Sequence, residues 1–214
     1  MNHGSSFHMI LKKIAAKARY GLVLQVLQDR LAGIGIDIAP FYWVEESLPD
    51  IPCPAIKGDP ADYEFSFFSL EDIQIINDLP ERQVFNPQVF LSLFSQGKKC
   101  YGVKFKNEIA AFTWIDLDES NSRLYRVDMK DNEAYLCDMY VLKAFRGRNI
   151  APVLRYKTYQ ALKEIGRDTC YSITECFNTP SLKFKQKLHA RILFKGLFID
   201  LFKKFRKIWI LRRY

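Results

Sequence analysis

Hydrophobic and polar positions change period several times along the chain. Apolar side chains recur every three or four positions over residues 9–33, which predicts an amphipathic helix ended by glycine. Five prolines follow between residues 34 and 62, so we expect an extended connector there, with a short strand at 41–44. Residues 1–8 are interpreted as a loose leader outside the fold. A helix and a connector over 9–61 therefore precede the main domain.

Residues 62–214 form the predicted main domain, in which strand-like and helix-like segments alternate. The segment 118–130 is polar and loop-like, with a short strand at 124–127 as the alternative. The tail 191–212 alternates like two strands around a turn at 202–206, and a terminal amphipathic helix is the competing interpretation. The other predicted strands are 64–68, 100–106, 109–117, 134–141 and 169–175, and the helices are 70–77, 86–96, 150–165 and 180–188. This order predicts a mixed α/β (α+β) sheet flanked by helices.

Composition narrows the class of protein. A length of 214 residues fits one domain with an added element. The five cysteines are odd in number and lack metal-type spacing, and two of the three histidines lie in the first eight residues. We therefore expect reduced thiols, no metal site and a cytoplasmic location. The sequence contains neither an apolar run long enough to span a bilayer nor a recognisable signal peptide.

Positive charge is concentrated at the end of the chain. Between Lys183 and Tyr214 there are eleven Lys or Arg residues and one acid, Asp200, so this stretch is +10 while the whole chain is +8. Aromatic and aliphatic residues interleave with these cations. Three interpretations stay open: a sheet whose outer face is basic for solubility, a surface for anionic lipid at the inner face of the membrane, or a less favoured nucleic-acid surface.

The most specific local signal is the turn at 146–151, which has the sequence Arg-Gly-Arg-Asn-Ile-Ala. It lies between a predicted strand and a predicted helix. Small residues let main-chain N–H groups approach an anion, and the new helix directs its partly positive N-terminus at the same point. Arg146 and Arg148 add positive charge. The turn therefore predicts a pyrophosphate-binding site that includes Gly147, Asn149, Ile150 and Ala151.

This stretch resembles the acyl-CoA-binding motif of the GNAT acyltransferase superfamily. The pattern there is Gln or Arg, two residues, Gly, one residue, then Gly or Ala. Arg146 and Ala151 fit its ends, while Asn149 replaces the usual middle Gly and is the residue that best tolerates a left-handed backbone.

A second stretch in the expected order supports the resemblance. Asn178 and Ser181, followed by Lys187-Leu188, are similar to the family's Asn-x-x-Ala/Ser and Lys-Leu-Gly-Phe segment. His189 and Ala190 depart from that pattern, and Lys185 stands where a catalytic Tyr is often found. The resemblance covers roughly residues 62–200.

The resemblance implies a GNAT-like, mostly antiparallel sheet that splays open between strands 134–141 and 169–175. Acyl-CoA would place its pyrophosphate on the turn and its pantetheine arm along main-chain groups near Met139 and Val141. A main-chain N–H there would polarise the thioester carbonyl. Asn178 and Ser181 would contact the coenzyme, and their alternative roles are helix capping and helix initiation.

Three residues are candidates for proton transfer. Glu175, at the end of its strand, is the first choice for the base that makes the acceptor amine neutral, and Asp138 is the second. Lys185 would give a proton to the leaving thiolate or contact a CoA phosphate. Cys176 invites a covalent mechanism, but no histidine lies near it in sequence to activate it.

The leading functional hypothesis is an acyl-CoA-dependent N-acyltransferase that uses direct attack by an amine. The donor is acetyl-CoA or a longer acyl-CoA, with an acidic acyl carrier protein as an alternative partner. The acceptor is expected to be an amino sugar or another membrane-proximal amine, while small-molecule and protein amines stay open. The N-terminal helix would pack on the domain, form a homodimer or lie on a membrane. The competing hypothesis is a non-catalytic module that binds CoA or membrane.

Overall fold

The secondary structure is taken from a computed structural model that describes residues 23–80, 89–120 and 122–214. Its strands are β1 Ile36–Glu46, β2 Tyr63–Phe67, β3 Lys99–Phe105, β4 Glu108–Asp116, β5 Glu133–Val141, β6 Thr169–Glu175, β7 Arg191–Leu201 and β8 Phe205–Arg213. Its α-helices are α1 Val23–Gly33, α2 Leu70–Asp78, α3 Val89–Ser95, α4 Ile150–Glu164 and α5 Thr179–Lys187.

All eight of these strands belong to one sheet, in the order β2-β3-β4-β5-β6-β1-β7-β8. Every neighbouring pair is antiparallel except β5 and β6, which are parallel. The helix α4 forms the crossover between these two parallel strands. The predicted mixed, mostly antiparallel sheet flanked by helices is therefore confirmed.

The largest departure from the sequence prediction is β1. We expected a proline-rich connector with a short strand at 41–44, whereas an eleven-residue strand lies between β6 and β7. Pro40 does not break it, because the Pro40 carbonyl accepts a hydrogen bond from the N–H of Cys176, just past the end of β6. Proline has no N–H, and an N–H at position 40 would be directed toward β6. The pairing of β1 with β6 ends one residue earlier, at Phe41 and Glu175, so the proline removes no hydrogen bond of that pairing. The predicted division into an N-terminal segment, 9–61, and a main domain, 62–214, stays a prediction. β1 comes from the N-terminal segment but lies within the sheet of the main domain.

The helix boundaries follow local chemistry. Ser69 caps α2 and exchanges reciprocal hydrogen bonds with Asp72, as its predicted cap position requires. The predicted helices 150–165 and 180–188 are confirmed as α4 and α5 within one residue at each end. The helix predicted over 9–33 is confirmed for 23–33, and the one predicted over 86–96 for 89–95. Their remaining N-terminal parts, like the leader 1–8, lie outside the described residues.

The sheet packs against two groups of side chains. One core lies against the helices and includes Phe112, Trp114 and Tyr159. The other lies under the loop between β4 and β5, where Trp43 stacks on Tyr171 with ring centroids 5.2 Å apart. The alternative strand at 124–127 is wrong: this stretch is a loop, with Leu124 buried in the second core.

The C-terminal tail forms the hairpin β7–β8, with residues 202–204 between the strands. The two-strand interpretation is confirmed, and the terminal amphipathic helix is wrong. β8 pairs only with β7, so it is an edge of the sheet, and all of its residues are exposed. Among the described residues, no helix combines the length and the apolar character needed to cross a membrane.

Candidate active site

A cleft opens where β5 and β6 separate. The two strands pair only from Glu133 to Tyr135, opposite Thr169 to Tyr171, and diverge beyond this point. The resulting cavity of about 540 Å³ lies between the loop before β5 and the helix α5. The splay that the resemblance implied is therefore present at the expected pair of strands.

A bulge in β5 faces this cleft. Cys137 pairs with Trp114 and Tyr140 pairs with Phe112, so Asp138 and Met139 together oppose the single residue between them on β4. Asp138 has a φ of 41°, a left-handed conformation that is strained for a non-glycine residue. The predicted second base and the predicted main-chain contact Met139 thus line the cleft at the one irregular position of β5.

The turn at 146–151 has the backbone that the sequence predicted. Gly147 has a φ of 82° and Asn149 a φ of 63°, and α4 begins at Ile150. Asn149 Nδ2 donates a hydrogen bond to the carbonyl of Ala55 at 2.7 Å, which ties the turn to the segment before β2. Asparagine therefore supplies a left-handed backbone and also an anchor, which the usual glycine would not provide.

The two arginines of the turn differ in their surroundings. Arg146 Nε donates to the carbonyl of Val141 at 3.0 Å, and Arg146 lines a second cavity of about 610 Å³ at the turn. The Arg148 guanidinium lies 5.0 Å from the ring centroid of Phe105 and does not line that cavity. Its proposed contact with the coenzyme stays a prediction. Two lysines that the sequence analysis did not select, Lys57 and Lys187, line the same cavity.

Both cavities share lining residues. Val141, the last residue of β5, and Ala151, in the first turn of α4, line each of them. The cavity at the turn and the cavity in the splayed gap therefore adjoin at these two residues, and together they extend from a helix N-terminus to the space between two strands; we call this pair of cavities the groove. The groove passes Asn178 and Ser181, which also line the gap. Asn178 Oδ1 accepts a hydrogen bond from the Ser181 N–H at 3.3 Å, so Asn178 also caps α5.

Glu175 lies at the end of β6 and lines the cleft on the side of the 118–132 loop. Its carboxylate pairs with Arg123 Nη2 at 3.1 Å, and the same guanidinium bonds Asp37 of β1. Arg123 also lines the cleft and comes from a loop that the sequence analysis left without a function. The predicted base is thus held in place by a cation that joins the loop to two strands.

Lys185 is the predicted site residue whose surroundings differ most from expectation. Its side chain is only 5% exposed, and its ammonium donates to Ser172 and to Thr174 Oγ1, the latter at 2.6 Å. The same nitrogen lies 3.2 Å from Glu46 Oε1. We expected contact with a phosphate, with solvent or with the leaving thiolate. The ammonium instead lies in a buried ionic network that also lines the cleft.

The network contains two cations and one carboxylate. Arg155 Nε lies 3.6 Å from Glu46 Oε2, with the Arg155 side chain 3% exposed and the Glu46 side chain fully buried. Tyr159 and Ser172 donate hydrogen bonds to the same carboxylate. Two guanidinium nitrogens of Arg155, Nε and Nη1, have no hydrogen-bond partner in the described part of the chain, although Arg155 lines the cleft. The interior of the cleft is therefore electropositive when Lys185 is protonated.

The network shifts the pKa values of both partners. Burial lowers the pKa of Lys185 from 10.5 to about 8; Glu46 opposes this shift and Arg155 adds to it. Burial alone would raise the pKa of Glu46, but Lys185, Arg155 and the two hydroxyl donors outweigh it and lower that pKa to about 2. The carboxylate is thus ionised at neutral pH, while the ammonium is close to its titration range.

Sequence analysis missed Glu46 and Arg155. Glu46 ends a strand that was expected to be shorter, and nothing local indicates that its carboxylate is buried. Arg155 lies one helical turn after Ala151, and this spacing was the available signal that it faces the gap. Cys176 is also near the site, but burial raises the pKa of its thiol, which does not favour a reactive thiolate. No cluster of three metal-type ligands occurs in the described ranges.

Comparison with known families identifies the class of this protein. The model of the acetyltransferase (GNAT) family matches residues 65–190, more than half of the chain. The chain belongs to the GNAT acetyltransferase family. A comparison with curated protein sequences gives no significant match.

Solved structures show the same fold at low sequence identity. A tandem GNAT protein from the clavulanic acid biosynthesis pathway is 14% identical with a TM-score of 0.55, over 79% of this chain and 56% of that one. A GCN5-related N-acetyltransferase from Sphaerobacter thermophilus is 13% identical with a TM-score of 0.55, over 84% and 55%. A glucosamine N-acetyltransferase region of a fungal multi-domain β-N-acetylglucosaminidase is 13% identical with a TM-score of 0.56, over 83% and 23%. The chain spans about half the length of the first two.

Proposed function

We propose that this protein is an acyl-CoA-dependent N-acyltransferase that transfers an acetyl group to an amine by direct attack. The observation that carries the proposal is that the cavity at the turn 146–151 adjoins the cavity between β5 and β6, at Val141 and Ala151. A chain-like ligand with an anionic end and a neutral arm fits such a groove. Membership of the GNAT family supports the same general activity.

The residues of the groove fit acyl-CoA. Positive φ angles at Gly147 and Asn149 turn the chain into the N-terminus of α4, where free N–H groups can donate hydrogen bonds to phosphate oxygens. Arg146, Lys57 and Lys187 add three cations around that point. The half-exposed strand end at Met139 and Val141, together with Asn178 and Ser181, lines the path of the pantetheine arm.

Bound acyl-CoA would supply a thioester carbonyl for attack and a thiolate as the leaving group. Glu175 accepts a proton from the acceptor ammonium, directly or through water, because it is the carboxylate at the open end of β6. Its ion pair with Arg123 fixes its orientation. Asp138, exposed on the bulge, is the alternative base.

Lys185 is the proposed proton donor to the thiolate. A group with a pKa of about 8 is mostly protonated at pH 7 and gives up its proton readily, which suits a general acid. Glu46 holds the ammonium from below, and Arg155 keeps the surroundings positive while negative charge develops on sulfur.

The charged interior also favours a short acyl group. A long alkyl chain that followed the gap toward the paired ends of β5 and β6 would meet Arg155 and Lys185, whose desolvation by hydrocarbon is unfavourable. We therefore propose acetyl-CoA as the donor, in place of a long-chain acyl-CoA or an acylated carrier protein. For the acceptor we propose an amino sugar or another amine that neighbours a membrane. Small-molecule and protein amines are the alternative acceptors, and the turnover assay described below includes them.

Calorimetric titration with CoA, acetyl-CoA and decanoyl-CoA tests the binding step. We expect micromolar affinity for the first two and weaker binding of the third. The double variant Arg146→Glu with Asn149→Asp should lose affinity at least tenfold, while the matched control Arg126→Glu, on a loop outside the groove, should not. Unchanged affinity of the double variant would remove the turn from the site.

Turnover of acetyl-CoA with a panel of amino sugars, polyamines and peptide N-termini tests the chemistry. Glu175→Gln should lower kcat at neutral pH by about 10² with little change in CoA affinity. If Glu175→Gln left the rate unchanged while Asp138→Asn lowered it, the base would be Asp138.

A second candidate function is a non-catalytic CoA-binding module. The specific observation in its favour is that the three N–H groups of the Lys185 ammonium already face three acceptors, on Ser172, Thr174 and Glu46. That arrangement suits a structural lysine. Micromolar binding of CoA without turnover of any amine in the panel would favour this candidate.

A further inference from the structure

Among the described residues, the sheet has a partly exposed apolar surface beyond the helix α5, on the side where α4 and α5 pack. It is built from the residues of β1 and β7 that alternate with the buried ones and from the β8 residues that pair with them, and this cross-strand pairing places them in rows. One row consists of Ile36, Leu201 and Phe205. A second row consists of Pro40, Leu197 and Trp209. Phe205 is 47% exposed and Trp209 is 36% exposed. We call this surface the hairpin face.

The same hairpin carries unpaired positive charge. Residues 202–214 contain six Lys or Arg residues and no acid. Arg206 pairs with Asp200 at 2.7 Å. The other five cations form no ion pair among the described residues, and all are exposed; they are Lys203, Lys204, Lys207, Arg212 and Arg213. The hairpin face therefore combines apolar side chains with a basic border.

This combination selects one kind of partner. A second copy of the chain, paired edge to edge through β8, would bring Lys207, Arg212 and Arg213 against the same three cations of the other copy, which is unfavourable. Nucleic acid would satisfy the cations but would leave exposed aliphatic residues such as Leu211, at 54% exposure, without an apolar environment. An anionic bilayer surface satisfies both groups, because headgroups neutralise Lys and Arg while the interface accommodates Trp, Tyr and aliphatic side chains.

We infer that the β7–β8 hairpin is a binding site for anionic lipid bilayers that holds the protein at a membrane surface. The free edge of β8 must remain at headgroup depth, because its unpaired N–H and C=O groups need polar partners. Trp209 and Tyr214 have the residue types typical of that depth. Lipid binding goes beyond the proposed acyl transfer and does not depend on it.

The strand order sets the distance between the hairpin and the cleft. β8 is separated from β6 by β1 and β7, and three steps of about 4.8 Å place β8 about 14 Å from the strand that ends in Glu175. An acceptor amine held by a carrier in the headgroup region would therefore have to extend about 14 Å from β8 to reach the proposed base.

Flotation of the full-length protein with vesicles tests this inference, without acyl-CoA present. We expect binding to vesicles of phosphatidylcholine with 30% phosphatidylglycerol to be at least tenfold tighter than binding to pure phosphatidylcholine. We also expect this binding to be lost in 0.5 M salt, because salt screens the attraction between several exposed cations and the anionic headgroups. Equal binding to both vesicles, or no binding at all, would overturn the proposal.

Matched variants locate the binding surface. Lys204→Glu with Lys207→Glu should reduce binding to the anionic vesicles at least tenfold, whereas Lys163→Glu with Lys183→Glu makes the same change of charge on exposed helix positions and should not. A loss that was equal in both pairs would show that net charge, and not the hairpin, decides the binding. A stable dimer in light scattering without vesicle binding would assign the hairpin face to a second copy and would also overturn the proposal.

Tryptophan fluorescence gives an independent readout. Trp43 and Trp114 are buried, with 5% and 0% exposure, so Trp209 is the residue of the three that a membrane can reach. Brominated phosphatidylglycerol should quench the wild type and leave Trp209→Phe unquenched. Quenching that persisted in Trp209→Phe would contradict insertion of the hairpin.

Discussion

Replacement of Lys185 by Met removes the proposed proton donor and keeps an unbranched side chain of similar length. Glu46 then remains paired with Arg155 and keeps its hydrogen bonds from Tyr159 and Ser172, so the carboxylate is not left without partners. We expect a fall in kcat of about 10² because general acid catalysis typically contributes 10²–10⁴. Affinity for acetyl-CoA should change little, since Lys185 does not line the cavity at the turn.

The pH profile gives a sharper test than the rate at one pH. With a pKa of about 8, Lys185 is roughly nine-tenths protonated at pH 7 and roughly one-tenth at pH 9. The ratio of the wild-type rate to the Lys185→Met rate should therefore fall about ninefold between these values if only the protonated lysine acts. The ratio cancels the titration of the acceptor amine, which affects both proteins equally.

Chromatographic detection of the acylated product measures this ratio, because it is insensitive to thioester hydrolysis at alkaline pH. Lys183→Met is the matched control, since Lys183 lies on the same helix but is exposed and lines neither cavity. Thermal unfolding and CoA titration of each variant confirm that the fold persists. A ratio that stayed constant from pH 7 to pH 9, or a Lys185→Met rate within threefold of wild type, would refute the role of Lys185 as the acid.

Three further predictions concern stability. Asn149→Ala removes the side-chain hydrogen bond to the Ala55 carbonyl and leaves an alanine in a left-handed backbone conformation. The free energy of unfolding in urea should therefore fall by about 1–2 kcal/mol, and the Kd for CoA in a titration should rise. In Gly196→Ala the new Cβ would lie 2.5 Å from Phe41 Cζ, which should destabilise the sheet by about 1–3 kcal/mol, while Gly33→Ala, with no atom within 4 Å, should be nearly neutral. Glu46→Gln should cost about 3–5 kcal/mol at pH 7 because buried cations lose their counter-charge. Since the pKa of Glu46 is lowered from 4.5 to about 2, the wild type should lose this stabilisation as the pH falls through that range, and the variant should lack that loss.

Sequence reasoning succeeded where short-range chemistry decides the structure. The turn at 146–151 could be predicted because Gly147 and Asn149 are the residues that accept positive φ, and Ile150 follows them into a helix. The hairpin of the tail follows from the two-residue alternation of its apolar side chains. The capping of α2 likewise depends on residues three positions apart.

Tertiary structure decided the position of β1 and the composition of the buried network. Nothing in residues 36–46 indicates which strands will be its neighbours, because register and sheet order depend on partners more than a hundred residues away along the chain. The same long-range pairing brings Glu46 to Lys185 and Arg155, three residues whose separations in sequence carry no signal. The sequence by itself thus determined the turn at 146–151, most of the strands and helices other than β1, and the basic tail. Only the fold placed a carboxylate beneath the predicted acid, since burial and charge pairing are properties of the assembled sheet.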